Sequence, residues 1–342
     1  MDTSIPGSHA GHERDGSRIM AFSEPHSDTD MSIQVFNQQF HVHSAPLKLR
    51  SAFFRAFLDS PDKVPSIGGR FKYMWVTEVD EDGTWQLICS SPDSKSSEHE
   101  FVGNAEDEIR SFTLLLHALH GHKFDVLAIE DLDRAVILAD YYCALPALSS
   151  HLNINTPVFT KATFEEPHKL IESAFQPRHS TLYRECLIQC MGPWGRPKYL
   201  NIENEPLREL AAESYKKLEH TVLDTEEALI DTERILTSTR YRTERSGPTI
   251  GRFKDVKRAA VSGCGRFTAG RYEYALPLFY QQLMQLPGKQ IAQCFRDSIE
   301  PLLKNHLVMD SGAQAGLGKY RNHFLCLDIK DNDLPWTIGE AD

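Results

Sequence analysis

Few side chains of this chain have types and spacings that could do chemistry, and each such group falls short of a site. Cys186 and Cys190 stand four residues apart, which puts two thiols on one side of a helix where both could face a metal ion. No second pair of ligands accompanies them. Unpaired cysteine is among the most often buried residues and behaves as a small hydrophobe, so the pair reads as core. His117, His120 and His122 form a second cluster. Only the first two share a helical face, and histidines at a helix C-terminus cap carbonyls and complement the dipole, so these read as a helix end. His99-Glu100 is followed by Gly103 where a zinc protease carries its second histidine, leaving that site one ligand short.

Nucleotide-binding loops fail in the same way. Gly288-Lys289 runs into Gln290 and Gly318-Lys319 into Tyr320, so neither supplies the hydroxyl that a phosphate loop sets on magnesium. Gly263-Cys264-Gly265 lacks the third glycine of a dinucleotide loop. There is no Gly-x-Ser-x-Gly elbow for a serine nucleophile. A basic stretch, Arg240, Arg242, Arg245, Arg252, Lys254, Lys257 and Arg258 with Tyr241 and Phe253 interspersed, has the makings of a phosphate-binding patch. Its Gly247-Pro248 interruption and the acidic background favour a solvated loop and helix face instead. The chain reads as a non-enzyme: no catalytic residue, no cofactor and no metal are expected.

Composition bounds the partners. The 342 residues carry 48 acidic against 37 basic side chains, a net charge of −11, which argues against nucleic acid or an anionic membrane as the main partner. No apolar run approaches the roughly 20 residues needed to span a bilayer; Leu114-Leu115-Leu116, for one, is cut off by His117. Seven cysteines without a Cys-x-x-Cys pair, no N-glycosylation sequon and an N-terminus without an apolar core point to a soluble, intracellular protein of the cytoplasm or nucleus.

The elements are legible by period. Residues 1–28 lack periodicity and read as a disordered tail. Met31 to Phe36 alternates as a strand, and Phe40 to His43 as another. Ser44-Ala45-Pro46 then opens a helix, in which Phe53 with Phe57 and Phe54 with Leu58 are i,i+4 pairs. Tyr73 to Asp80 and Trp85 to Cys89 flank Asp80-Glu81-Asp82-Gly83, a strong hairpin signal. In that hairpin Tyr73, Trp75, Thr77 and Val79 share one face, as do Trp85, Leu87 and Cys89 on the returning strand. Ile109, Phe112, Leu115, Leu116 and Leu119 mark a helix stopped by Gly121. Leu132, Val136, Ala139 and Cys143 form one helical stripe, broken at Pro146 and resumed at Leu148. Residues 153–163 read as a linker and 164–342 as a mainly helical region. Its longest pattern runs from Glu205 to about Thr239, with inward positions Leu207, Ala211, Tyr215, Leu218, Val222, Thr225, Leu229, Thr232 and Leu236.

Three ordered segments resemble a BTB/POZ domain, closest to fungal BTB proteins: the strand delivering His43 into a helix with Ser51 and Phe54, the helix ending at Gly121, and the helical pair around Pro146. The resemblance covers residues 29–152 and implies an α+β fold in which a small mixed sheet packs on a cluster of short helices. Residues 73–90 depart from the family pattern as an inserted hairpin. Leu182-Tyr183-Arg184-Glu185, Gly192-Pro193-Trp194 and Leu334-Pro335-Trp336 also look like the helical extensions of fungal BTB proteins. The resemblance implies protein partners, a homodimer and service as an adaptor for a cullin-based ubiquitin ligase, with transcriptional or chromatin regulation as the alternative. Only Ile19, Met20, Ala21 and Phe22 offer an apolar N-terminal patch, so the dimer should be weak. Phe54, Phe57, Phe112, Leu116, Leu132, Val136 and Ala139 are the expected core, and truncating Phe57 should cost roughly 3–5 kcal/mol. For Tyr73, Trp75 and Trp85 two readings stay open: a hairpin that extends the domain's own sheet, or an exposed partner-binding element that crowds the region where BTB adaptors meet their cullin.

Overall fold

A computed structural model describes residues 18–22, 28–60, 70–90, 99–237, 265–268, 271–285 and 289–337. The chain is mixed α+β and divides into two compact units, Met1–His122 with Ile137–Ala147, and Lys123–Val136 with Leu148–Asp342. The basic stretch 240–258 lies outside the described residues.

The first unit is built on a five-stranded mixed sheet with the order β1-β3-β2-β4-β5. β2 (Met31–Val35) and β3 (Gln38–Val42) are an antiparallel hairpin, with Met31 opposite Val42. The chain then forms two short helices, α1 (Ser44–Arg50) and α2 (Ala52–Leu58), and returns as β4 (Tyr73–Val79), parallel to β2. Neither helix is long enough to stand alone, so each is tied down. The Asp30 carboxylate accepts from the Ser44 backbone N–H at 2.7 Å and its hydroxyl at 2.6 Å, fixing the start of α1. Ser51 caps α2 by accepting from Phe54 N–H at 3.1 Å. β5 (Trp85–Cys89) pairs antiparallel with β4 across the expected Asp-Gly turn, where Gly83 takes φ +79°.

α3 (Ala105–His120) ends at Gly121 in the left-handed conformation. Arg50 donates to the Leu119 carbonyl at 2.9 Å, placing a cation at that C-terminus. α4 (Ile129–Tyr141) and α5 (Leu145–His151) are the pair separated near Pro146. Phe54, Phe112, Leu116, Leu132, Val136 and Ala139 are all buried.

Three expectations are corrected. Phe57 is 42 % exposed: a two-turn helix can seat only one i,i+4 pair inward, and Phe54 with Leu58 takes that place. The tail expected to be structureless contains β1 (Arg18–Ala21), parallel to β3 with Ile19 opposite Gln39. Phe22 beyond it is buried. The expected linker carries a helix, α6 (Pro157–Glu165), opened by proline at its first turn.

The second unit continues through α7 (Pro167–Phe175) and α8 (Ser180–Cys190) to the 33-residue α9 (Glu205–Thr237). A two-stranded hairpin, β6 (Gly265–Thr268) with β7 (Arg271–Tyr274), had no signal in the sequence. α10 (Leu276–Met284) and α11 (Lys289–Leu303) follow. α11 stops at Leu303, and Asn305 then turns the chain: its Oδ1 accepts from Leu307 N–H at 2.9 Å, and its amide donates to the Asp310 and Ala313 carbonyls.

The motif residues of α8 staple the C-terminal tail. The Tyr183 ring meets Trp336 edge-on at 5.3 Å, and Arg184 donates to the Ile329 carbonyl at 2.8 Å. The buried Glu185 carboxylate accepts from Val308 and Met309 N–H. Trp194 packs on Phe324 at 5.1 Å and Tyr215 at 5.4 Å. Among the described residues no helix is long and apolar enough to cross a membrane.

Candidate interaction surfaces

Of the two readings open for the hairpin, sheet extension or exposed anchor, the structure has the first: its aromatics turn inward. Cross-strand register places Trp75 opposite Cys89 and Val79 opposite Trp85, so the predicted aromatic face is one face of the sheet. That face packs on the helices: Tyr73 and Trp75 are buried, with the Trp75 ring 5.9 Å from Phe54. Trp85 is half-buried, between Phe36 at 5.5 Å and Phe112 at 6.2 Å. β4 sits between β2 and β5, so the hairpin extends the sheet as an integral part. Its opposite face carries the 40 % exposed Met74.

An exposed aromatic surface lies elsewhere in the same unit. Phe53 is half-buried and bridges Phe57 on its own helix at 4.5 Å and Tyr141, at the end of α4, at 5.8 Å. Tyr141 is 53 % exposed, and Ile137, one turn earlier on α4, 59 %. Scattered single apolar residues are ordinary on a surface, whereas a contiguous group of aromatics marks an interaction site. Tyr141 is held from beneath by Tyr142, whose ring lies edge-on at 4.9 Å. The sequence hid this surface because Phe57 looks like core and Ile137 and Tyr141 lie off the buried stripe of α4.

Tyr142 is also where the three separated segments meet. Its ring stacks on Phe54 at 5.4 Å and 6°, and meets Phe112 edge-on at 5.9 Å. Its carbonyl accepts from the Ser51 hydroxyl at 2.6 Å. Burial pushes its phenol pKa far up.

The histidine cluster is structural. His120 Nδ1 donates to the Leu116 carbonyl at 2.8 Å, one turn back. Phe22 stacks on His120 at 4.8 Å and meets His117 edge-on at 4.9 Å, wedged over the end of α3. Burial lowers the His117 pKa and lowers that of His120 to about 4, so the His120 ring is neutral at pH 7. His43 is a buried corner residue after β3. Cys186 and Cys190 are fully enclosed, and burial drives both thiols well above the usual range, the opposite of what a ligand or nucleophile needs. Among the described residues no group of three or more His, Cys, Asp or Glu is arranged to hold a metal ion.

Concavities lined by described residues of the second unit include two of note. One, of about 800 Å³, lies beside α6 and is lined by Thr156, Thr160, Lys161, Phe164, Met309 and Lys319 among others. Its charges are internally balanced: Lys161 lies 3.8 Å from Glu165, and Lys319 2.8 Å from Asp310. The other is a groove of about 220 Å³ between α9 and α10. No family model, curated protein or solved structure matches the chain.

Proposed function

We propose that the chain is a non-enzymatic protein–protein interaction protein of the BTB type, whose first unit oligomerises and recruits partners and whose helical region offers a second binding surface. The observation that carries this reading is the convergence at Tyr142. Ser51 and Phe54 from the strand-to-helix corner, Phe112 from the helix stopped at Gly121, and Tyr142 from the broken helical pair share one buried contact set. Those are the segments on which the BTB resemblance rests, and their meeting supports one domain. The surface formed by Phe53, Phe57, Ile137 and Tyr141 supports partner binding, because exposed aromatics on rigid helices serve as anchors at low entropic cost.

Two roles follow from this reading. As an adaptor for a cullin-based ubiquitin ligase, the protein needs two separable surfaces, one for the ligase and one for a substrate. As a regulator of transcription or chromatin, it holds chromatin partners through the BTB-like unit. The integration of the hairpin into the sheet favours the first role, since the hairpin's aromatics do not crowd the outside of the domain. Crosslinking mass spectrometry in fungal lysate separates the two: recovery of cullin-ligase subunits supports the adaptor, chromatin proteins the regulator, and neither class opposes both. The expected dimer is weak, since β1 offers only four residues and a single buried anchor, Phe22. Sedimentation over about a hundredfold concentration range reads it, and a dimer that persists at nanomolar concentration refutes that expectation.

A further inference from the structure

The cavity of about 800 Å³ is a cleft between one side of α6 and the turn that follows α11. Residues four apart in two adjacent rows, Thr156, Thr160 and Phe164 beside Pro157, Lys161 and Glu165, make the helical wall. Val308 and Met309 belong to the other wall, which is fixed because the buried Glu185 carboxylate accepts from both of their backbone N–H groups. Phe164 is half-buried and Val308 is 66 % exposed, so the cleft presents apolar surface to solvent. Its volume falls in the range of small-molecule sites, roughly 300–1,000 Å³. Both walls lie within continuous described stretches, 99–237 and 289–337.

The rim charges of this cleft balance in number, but their hydrogen bonds do not. Lys161 Nζ lies 3.8 Å from Glu165, beyond hydrogen-bond length, and the two side chains are 72 % and 55 % exposed, so the pair holds weakly. Among the described residues the Lys161 ammonium makes no hydrogen bond. Lys319 is seated more firmly: its ammonium meets Asp310 at 2.8 Å and lies 5.0 Å from the centroids of the Phe164 and Tyr320 rings. An ammonium has three donors, so this one keeps capacity for a further acceptor. At the start of α6 the enclosed Thr156 hydroxyl has no partner. Unused donors thus surround an apolar and aromatic floor, on a chain whose net charge is −11. We propose that the cleft binds a small organic carboxylate with an aromatic body. The ring would lie against Phe164, Val308 and Met309, and the carboxylate would accept from Lys161 and Lys319. The contacts that already seat Lys319 lower the cost of ordering it around a ligand. Every residue involved belongs to the second unit, so the proposal is independent of the BTB-type reading of the first.

The test is saturation-transfer difference NMR on the full chain with naphthoate, and with naphthamide as its uncharged counterpart. Saturable binding of naphthoate with a Kd of about 0.1–1 mM is expected, in keeping with its small size. Naphthamide should bind at least about fivefold more weakly. Lys161→Gln should weaken naphthoate binding about fivefold, and Val308→Asp, which sets a carboxylate on the apolar wall, about tenfold. Lys169→Gln removes an exposed cation of the same unit outside the cleft and should leave affinity within about twofold. All three positions are exposed, and melting temperatures check that each variant keeps its fold. Absence of saturable binding up to about 10 mM overturns the proposal, as does equal affinity for naphthoate and naphthamide. Equal weakening by Lys161→Gln and Lys169→Gln means unspecific attraction and overturns it too. So does binding indifferent to both Lys161→Gln and Val308→Asp, which places the ligand elsewhere. An acetylated Asp-Leu-Asp-Phe amide that binds at least about tenfold tighter than naphthoate and is weakened by Lys161→Gln gives the cleft to an acidic protein segment, and overturns the small ligand.

Discussion

Acid should destabilise the second unit chiefly through His323. Its side chain is buried between Phe164 at 5.7 Å and Tyr320 at 5.8 Å, and neither ring nitrogen has a hydrogen-bond partner. The ring lies so close to Gly192 that a Cβ there would fall 2.0 Å from Cδ2, which leaves no room for water on that side. Burial, with the Lys198 cation adding to it, lowers the imidazole pKa from 6.5 to about 4. In the unfolded chain the same group titrates near its ordinary value. Between those two values the unfolded state therefore binds more protons than the folded one, and stability falls as pH falls. The contribution is complete above about pH 6.5 and lost on descending to about pH 4, and its size is about 3 kcal/mol. Urea unfolding of the full chain, followed by tryptophan fluorescence between about pH 7.5 and about pH 4.5, reads the slope. His323→Leu removes the proton-binding group while nearly keeping its volume. The variant's stability should depend less on pH across that window, whatever its stability at neutral pH. Parallel curves for the two proteins would refute the reasoning.

Other outcomes follow from single contacts. Phe54→Ala should cost about 3–5 kcal/mol, but Phe57→Ala about 1 kcal/mol or less because its ring is already 42 % exposed; equal costs in denaturant unfolding would mean that the face of α2 is misread. Ser51→Ala removes both the cap of α2 and the bond to the Tyr142 carbonyl, leaving a buried acceptor unmade, and should cost about 2–3 kcal/mol by the same assay. In the native protein a maleimide should label the exposed Cys143 while sparing the buried Cys186 and Cys190, which become reactive only in denaturant. Native labelling of Cys190 at the rate of Cys143 would contradict its enclosure.

Local signals in the sequence survive into the structure where one residue type decides the geometry. Gly83 and Gly121 both adopt positive φ, which makes a turn and a helix stop readable from composition alone. The seam of α9 was legible because buried residues recur every three or four positions along many turns. What stayed hidden depends on partners distant in sequence. β1 is four residues long and pairs in parallel with a strand some twenty positions away, an arrangement without a local signature. In α2 two aromatic pairs compete for one inward face, and only the position of Tyr142 decides between them. For the candidate surfaces, the aromatic content of residues 73–89 was visible but its direction was not. The exposed group at Phe57, Ile137 and Tyr141 was missed because exposure is a property of what does not pack nearby.

The central claim is that the first unit binds protein partners through that exposed aromatic group. It is tested most directly by quantitative affinity purification of the wild-type chain and an Ile137→Asp, Tyr141→Asp variant side by side. Both substituted positions are more than half exposed, so the variant should keep its fold and melting temperature. The account predicts that recovery of cullin-ligase subunits, or of chromatin proteins, falls at least about tenfold in the variant. Equal recovery of either class by two equally stable proteins would contradict it.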